Sequence, residues 1–517
     1  MKILLFPVPT SDFLPMPMRV GFYFPNTGIL TIAAYLEQHN YKVKIIDMIA
    51  LNLTWKDIPA LIKAESPDFV GISGLTRNAY MCMGLAKIIK QVNPRIVTVL
   101  GGAHFSLVPE ESLRICKEID YVIRGEGEVT FLELIKKVEE GAKKEAISKV
   151  EGLAYLSGED YIKTPLRPLI KDLDTLPLPA YHLLPMSRYK VSLLGKNGMG
   201  CNFSRGCLYN CKFCSEMIIW NHTRRGRSAG KIIEELELLV NNYGKKTFWF
   251  SDSDFLQDEQ RNIKFLEEME ARDLDIKFLI YSRADVLIKN KSLLKRLKKI
   301  GLTAVIVGGE SFSQKMLDEW NKKITVTDIE SVSGCIQDAK IPIFECDLLC
   351  GSSDDDKNAL VRSLRISHRL EVDFFKLSIL TPWPGTELFN EMKQKGLIKV
   401  WDYRRYDIDH GIMGTKHLSI KRLEKLHAWI VAMWWLDPRR IVKNFKNKQR
   451  RLLHVFQLKC ICLSILNFLF AKLTSRRKNK VAKDDSIIEE FYLRHLDYIG
   501  IKREDDCKTF KIWSCNK

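Results

Sequence analysis

Acidic residues are missing altogether from one long stretch of this chain: between Pro438 and Lys480 there are 13 Lys or Arg and no Asp or Glu. Over all 517 residues, 81 basic side chains stand against 63 acidic ones, a formal net charge of +18, so most of the excess sits in that stretch. The rest is close to balance, which argues against a basic groove for DNA or RNA. Also missing is any uninterrupted apolar run of about 20 residues, which excludes reading the chain as an integral membrane protein. The opening run Lys2–Phe6 breaks at Pro7 and reads as a strand, not as a signal peptide. With 46% hydrophobic and 28% charged residues the composition is ordinary for a globular protein, and neither collagen nor wholesale disorder fits it. At about 150 residues per domain, the length predicts two to three domains.

What is present in excess is cysteine. Thirteen are too many to ignore, and their arrangement is wrong for a disulfide framework. The expected compartment is therefore a reducing cytoplasm, where clustered cysteines mean metal or redox chemistry.

The first 145 residues alternate short apolar strands with amphipathic helices. Strands are expected over Lys2–Phe6, Val43–Asp47, Phe69–Ser73 and Arg95–Leu100, and helices over Gly28–His39, Asp57–Ala64 and Ala79–Val92. This pattern predicts a doubly wound, Rossmann-like α/β domain with a parallel sheet covered on both faces. Its ligand is expected at the carboxyl ends of the strands, near Ser73, Thr76, Gly101-Gly102-Ala103-His104 and Gly125-Glu126-Gly127-Glu128. Residues 146–195 read as a connector: a hairpin over Leu153–Thr164, then a stretch carrying Pro165, Pro168, Pro177, Pro179 and Pro185. A second alternating series follows over 196–400. Its strands are expected at Thr247–Ser251, Lys277–Ser282, Ala304–Gly308, Ile343–Leu349 and Phe374–Leu380, after a first near Met199. Units about 30 residues apart suggest a partial (β/α)6 barrel whose chemistry sits at the strand ends. Residues 401–517 read as a helical, basic region.

One constellation outranks the rest: Arg205-Gly206-Cys207-Leu208-Tyr209-Asn210-Cys211-Lys212-Phe213-Cys214, with C-x3-C-x2-C spacing on a loop after the first barrel strand. Such a triplet arises by chance in roughly 0.008 of chains with this cysteine content. Three neighbouring thiolates can hold three irons of a 4Fe–4S cubane and leave the fourth open to chelation by a small molecule. Tetrahedral zinc would need a fourth ligand, for which Cys201 or His222 are the candidates. Cys201 is instead expected on the strand, facing into the barrel.

This motif, with Phe213 before the last cysteine and Ser204-Arg205-Gly206 ahead of the first, resembles the radical S-adenosylmethionine (SAM) superfamily. The N-terminal α/β unit resembles the cobalamin-binding domain of that superfamily's largest branch. Further matching segments are Phe250-Ser251-Asp252-Ser253-Asp254-Phe255, Ser282-Arg283-Ala284-Asp285, Gly308-Gly309-Glu310-Ser311 and Thr381-Pro382-Trp383-Pro384-Gly385-Thr386, with Arg124-Gly125-Glu126-Gly127-Glu128 on the N-terminal side. The resemblance covers about residues 1–400. It implies a 4Fe–4S cluster on Cys207, Cys211 and Cys214, with SAM bound at its open iron. It implies that Arg283 pairs with the SAM carboxylate, that Glu310 accepts from its ribose or amine, and that Ser311, Asp252 and Asp254 lie close by. For cobalamin it implies Thr27, Gly28, Ser73, Thr76, Gly101, Gly102, His104, Gly125 and Glu126. No side chain is expected to perform the radical step, which the cofactors carry.

Two departures stand out. The D-x-H-x-x-G motif that supplies a histidine to cobalt in some cobalamin domains is absent, the corresponding loop reading Pro25-Asn26-Thr27-Gly28. Gly351-Ser352-Ser353-Asp354 replaces a Gly-x-Pro-Gly turn. The activity expected from the resemblance is methyl transfer to an unactivated carbon of a small molecule, with flavodoxin or ferredoxin as electron donor. An oxidative ring closure is the alternative within the branch, and a non-catalytic iron–sulfur or zinc protein the alternative outside it. Finally, 450–478 pairs basic flanks with a charge-free run of 12 residues, Cys460–Ala471. That is too short to span a bilayer but suits a helix lying on the inner face of the cell membrane, which would favour a lipid, isoprenoid or tetrapyrrole substrate.

Overall fold

The computed structural model describes residues 1–7, 24–189, 197–272, 274–446, 450–451, 455, 485–503 and 506. The segment 450–478 assigned to a membrane surface therefore lies, apart from 450, 451 and 455, outside the described residues. Among the described residues no helix is long and apolar enough to cross a membrane.

The first sheet has the order β2-β1-β3-β4-β5-β6-β7. It is built from β1 (Lys2–Phe6), β2 (Lys42–Ile45), β3 (Phe69–Ser73), β4 (Val97–Gly101), β5 (Tyr121–Ile123), β6 (Leu153–Ser157) and β7 (Asp160–Lys163). β1 to β5 run parallel, and the hairpin β6–β7 continues the sheet antiparallel on the β5 edge. Because strand side chains alternate, Ile3, Leu5 and Phe69 enter one core while Leu4, Phe6 and Val70 enter another on the opposite face. Helices Thr27–Gln38 and Glu128–Glu139 cover the first face, and Ala79–Val92 covers the second. The C-terminal helix Asp485–Ile499 returns to that second face. Ile488 and Phe491 join the core, Lys87 pairs with Glu490 at 2.5 Å, and the Tyr80 hydroxyl lies 2.7 Å from His495 Nδ1. Since β1 lies between β2 and β3, the chain reverses direction across the sheet at the carboxyl ends of β1 and β3, where such folds open a ligand crevice.

The second sheet runs β15-β14-β13-β12-β11-β8, all parallel, as a six-stranded partial barrel. Its strands are β8 (Gly198–Cys201), β11 (Thr247–Phe250), β12 (Lys277–Arg283), β13 (Leu302–Glu310), β14 (Ile343–Cys350) and β15 (Phe374–Ile379); β9 (Ser204–Gly206) and β10 (Arg224–Gly226) form a small antiparallel pair beside it. Capping side chains start the barrel helices, with Thr325 and Asp356 accepting from backbone N–H groups three residues on at 3.0 and 2.7 Å. Phe248, Phe250 and Phe278 face the helices, whereas Trp249, Leu279, Tyr281 and Ile306 face inward. Cys201 pairs in register with Phe250 and so packs on the helix side with Tyr181 and Glu235. The expectation that it faces the barrel is corrected by this strand phase, and the same placement removes it as a fourth metal ligand.

Candidate functional site

A cavity of about 400 Å³ lies at the carboxyl ends of β1, β3, β4 and β5. Of the residues expected to bind cobalamin, Thr27, Gly28, Ser73, Gly101, Gly102, Gly125 and Glu126 line it. Asn26 caps the helix that opens there, its side chain accepting from Ile29 N–H at 3.1 Å. A methyl group built on Gly28 or Gly101 would meet no atom closer than 3.4 Å, so these positions leave open floor for a broad ligand. Gly102 is different: at φ +90°, with a Cβ falling 2.7 Å from the Gly74 carbonyl, the position admits only glycine. Thr76 and His104 are not in this lining. His104 turns inward, its ring edge-on to Tyr403 and Phe105 and its Nδ1 3.3 Å from the Thr76 hydroxyl. Burial pushes its pKa down to about 3, so it is a neutral core residue behind the cavity. Neither residue reaches the lining of this cavity.

The far wall of the cavity comes from the second half of the chain, through Ser204, Arg205, Glu216, Trp220 and Arg227. Gly206, between this wall and Cys207, has φ +85°, and a Cβ there would lie 2.0 Å from the Thr223 carbonyl. Only glycine can turn the chain into the cysteine loop. The loop itself is pinned from outside. Lys212 N–H donates to the Trp320 carbonyl and Leu388 N–H to the Lys212 carbonyl, both at 3.0 Å, while Asn321 Nδ2 donates to the Asn210 carbonyl at 2.8 Å. Phe213 meets the Trp320 ring edge-on at 5.9 Å.

Burial pushes all three thiols up, Cys214 to about 12, while Lys322 and Arg283 oppose the rise at Cys207 and Cys211. Among the described residues no three His, Cys, Asp or Glu side chains converge on a single-ion site. A cubane makes a different demand, since its three thiolates bind three separate irons.

Around this loop stand the other expected residues. Arg283 lies 3.4 Å over the Tyr209 ring, its Nε held by Asp285 at 3.0 Å and its Nη2 by the Lys322 carbonyl at 2.8 Å. Its Nη1 is buried without a partner, as are Oδ2 of Asp252 and Oδ2 of Asp254. Asp252 is hydrogen-bonded by Ser204, and Asp254 by Ser282 at 3.1 Å; burial pushes Asp254 up to about 7. These orphaned atoms suit a ligand carrying both a carboxylate and hydroxyl or amino groups, as SAM does.

Glu310 sits in the left-handed region at φ +59°, at a break in the β13–β14 register, and accepts from the buried Lys322 ammonium at 2.7 Å. Strain of this kind persists only where the surroundings over-determine it. A Cβ on Gly308 would lie 2.8 Å from the Glu310 carboxylate and 3.1 Å from the Lys322 ammonium, so this glycine makes room for the ion pair. The Ser311 hydroxyl accepts from Ser313 N–H at 3.1 Å, stiffening the turn.

Glu126 has a second occupation that sequence reasoning missed. Arg205 donates to Glu126 at 2.7 Å and to Glu128 at 2.6 Å. Arg225, its cross-strand neighbour, donates to Glu126 at 2.9 Å, and Ile170 N–H adds a bond at 2.7 Å. The Glu126 carboxylate, although it lines the cavity, is thus engaged by protein donors and ties the cavity loop to the strand feeding Cys207. Complementary runs, Gly125-Glu126-Gly127-Glu128 against Arg224-Arg225-Gly226-Arg227, were the available signal. Lys322, 12 residues past Glu310 and outside its motif, offered none.

A ligand crevice at a sheet reversal, with one wall formed by Ser204, Arg205 and Glu216 that flank the loop of three thiols, fits an enzyme that works with two large cofactors. Comparison with known proteins agrees with this class. Residues 18–135 match the B12 binding domain and 201–364 the radical SAM superfamily. An uncharacterised methyltransferase of Pyrococcus horikoshii is 33% identical over 451 residues, covering 86% of this chain and 94% of that one. The anaerobic magnesium-protoporphyrin IX monomethyl ester cyclase of Cereibacter sphaeroides is 30% identical over 394 residues, 76% of this chain and 63% of the relative. In fold, the cobalamin-dependent SAM radical enzyme OxsB superposes with a TM-score of 0.68 at 16% identity, over 99% of this chain and 81% of that one. The chain belongs to the radical SAM superfamily, in the branch that carries a B12-binding domain ahead of the barrel.

Proposed function

We propose that this chain is a cobalamin-dependent radical SAM enzyme that methylates an unactivated carbon of a small molecule. The observation that supports the reading is an adjacency: the cavity at the ends of β1, β3 and β4 is closed by Ser204, Arg205 and Glu216, the residues on either side of the cysteine loop. In this reading Cys207, Cys211 and Cys214 would hold a 4Fe–4S cluster, and Thr27, Gly28, Ser73, Gly101, Gly102 and Gly125 would seat cobalamin. When bound, these groups supply the electron that cleaves a C–S bond of SAM and the methyl group that is transferred, chemistry outside the reach of side chains.

The protein's part is to bind, orient and keep water out. Arg283 is locked by Asp285 and the Lys322 carbonyl so that Nη1 alone is offered to the SAM carboxylate. Asp254, able to hold its proton near neutral pH, serves SAM hydroxyl or amino groups without adding a full charge. Glu310, fixed by Lys322 and its strained backbone, faces the same ligand. Inward-facing Trp249, Leu279, Ile306 and Ile343, with Phe24 packed edge-on to Trp249 at 5.4 Å, close the barrel floor to water. We assign 1–145 to the cobalamin unit, 146–195 to the connector, 196–400 to the barrel and 401–517 to a helical basic region. The setting proposed is cytoplasmic, with flavodoxin or ferredoxin as reductant.

Anaerobic reconstitution tests the reading. Expected are iron and sulfide, one corrinoid per chain, conversion of SAM to 5′-deoxyadenosine under dithionite, and a product carrying the deuterated methyl of labelled SAM. Zinc in place of iron, or no SAM cleavage, would refute it. The identity with the cyclase of Cereibacter sphaeroides supports a second reading, ring closure. That reaction gives an unlabelled product with two fewer hydrogens.

A further inference from the structure

Five large apolar side chains stand exposed on two consecutive helices: Trp429, Met433 and Leu436, then Val442 and Phe445, with exposures from 45% to 58%. The first three recur at i, i+4 and i+7 along one face of helix Ile420–Trp435 and the cap that ends it. The opposite face of that helix is already satisfied. Leu423, Ile430 and Trp434 are fully buried, and His427 Nε2 lies 2.6 Å from the Leu377 carbonyl of β15. The outer stripe is therefore not surplus from core packing. It begins with exposed Lys421, Arg422 and Lys425, and the next helix, Pro438–Lys446, ends in exposed Lys446. The nearby carboxylates are engaged, Glu424 by Arg405 at 2.7 Å and Asp437 by Arg439 at 3.3 Å. The sequence beyond adds only cations as far as Lys480.

We propose that this face rests on the surface of an anionic lipid bilayer. Trp429, Met433, Leu436 and Val442 would enter the headgroup–acyl boundary, with Lys421, Arg422, Lys425 and Lys446 against the phosphates. An apolar stripe with a tryptophan and flanking lysines and arginines is what an interfacial helix requires. A second copy of the chain is a poorer occupant, because a two-fold contact would set these cations against their own images. The inference stands apart from the reaction proposed above.

The test is flotation of the full-length, anaerobically purified protein with vesicles of phosphatidylcholine alone and of equal parts phosphatidylcholine and phosphatidylglycerol. Binding is expected only to the anionic vesicles and is lost in high salt. Arg422→Gln and Lys425→Gln should each weaken it about fivefold, and Met433→Ser with Leu436→Ser at least about tenfold. Iron content and thermal transition are compared first. If the serine variant does not fold, the exposed glutamine variants decide. Absence of flotation, or flotation unchanged by the substitutions, overturns the proposal. So does a concentration-dependent dimer that the serine variant abolishes, which would make the face a self-interface.

Discussion

Replacing Arg205 by Met should cost far more than the loss of one surface ion pair. Side-chain exposure is 16% for Arg205, 5% for Glu126 and 3% for Glu128, so the charges are mutually dependent inside the protein. Without Arg205, Glu126 keeps Arg225 and the Ile170 N–H, but Glu128 loses the cation that holds it at 2.6 Å. Truncating one partner of a buried pair leaves an uncompensated charge and costs about 3–5 kcal/mol. Removing that charge as well should restore much of the loss. The double variant Arg205→Met/Glu128→Gln is expected to be more stable than Arg205→Met alone, with a coupling energy of about 1–3 kcal/mol. Glu126→Gln should be milder than Arg205→Met, because Arg205 retains Glu128. The assay is a double-mutant cycle by anaerobic calorimetry, with iron content and corrinoid uptake measured on each variant. Iron should stay bound, since the cysteine loop is anchored independently at Trp320 and Leu388, while corrinoid uptake falls. A cost for Arg205→Met below about 1 kcal/mol, or a double variant no better than the single one, refutes the reasoning.

Alanine at Cys207, Cys211 or Cys214 should abolish iron–sulfur absorption and SAM cleavage. Alanine at Cys201, buried behind the sheet, should leave both intact at about 1 kcal/mol of stability, as iron analysis and thermal unfolding would show. Gly102→Ala forces a side chain into φ +90° and against the Gly74 carbonyl. A strain of about 1–3 kcal/mol predicts at least about tenfold weaker corrinoid binding with iron content unchanged. Burial pushes the Glu235 carboxyl, which accepts from Tyr181 at 2.6 Å, up to about 7 from 4.5. Between these values the folded state keeps a proton that the unfolded chain has lost, so this group's contribution to stability falls as pH rises from 4.5 to 7. Glu235→Gln should match the wild type near the lower limit and exceed it by up to about 3 kcal/mol above the upper one, read from unfolding free energies across pH.

Two kinds of information govern this fold, and only one of them is local. Strand and helix positions were legible because the apolar period changes with the element: Lys2–Phe6, Phe69–Ser73 and Ala79–Val92 occupy the expected spans without adjustment. The site was legible where chemistry is concentrated in sequence, as with the cysteine loop and the glycines flooring the cavity. It was not legible where a side chain's partner comes from elsewhere in the chain. Glu126 and Glu310 both sit in recognisable motifs and both look free in sequence. One is saturated by Arg205 and Arg225, 79 and 99 residues on, and the other is paired with Lys322. His104 follows a Gly-Gly pair at a strand end, the usual place for a ligand contact, yet aromatic packing by Tyr403 turns it into the core. Cys201 shows how fine the margin is, since one step of strand phase separates a barrel-facing thiol from a core residue. The charged motif residues are therefore of two kinds. Asp252, Asp254 and Arg283 keep buried atoms without protein partners and are free to receive a ligand, whereas Glu126 holds the two halves of the molecule at a fixed separation. A chain that brings two cofactor sites together needs both kinds: groups that wait for the ligand, and groups whose full engagement keeps the two sites in place.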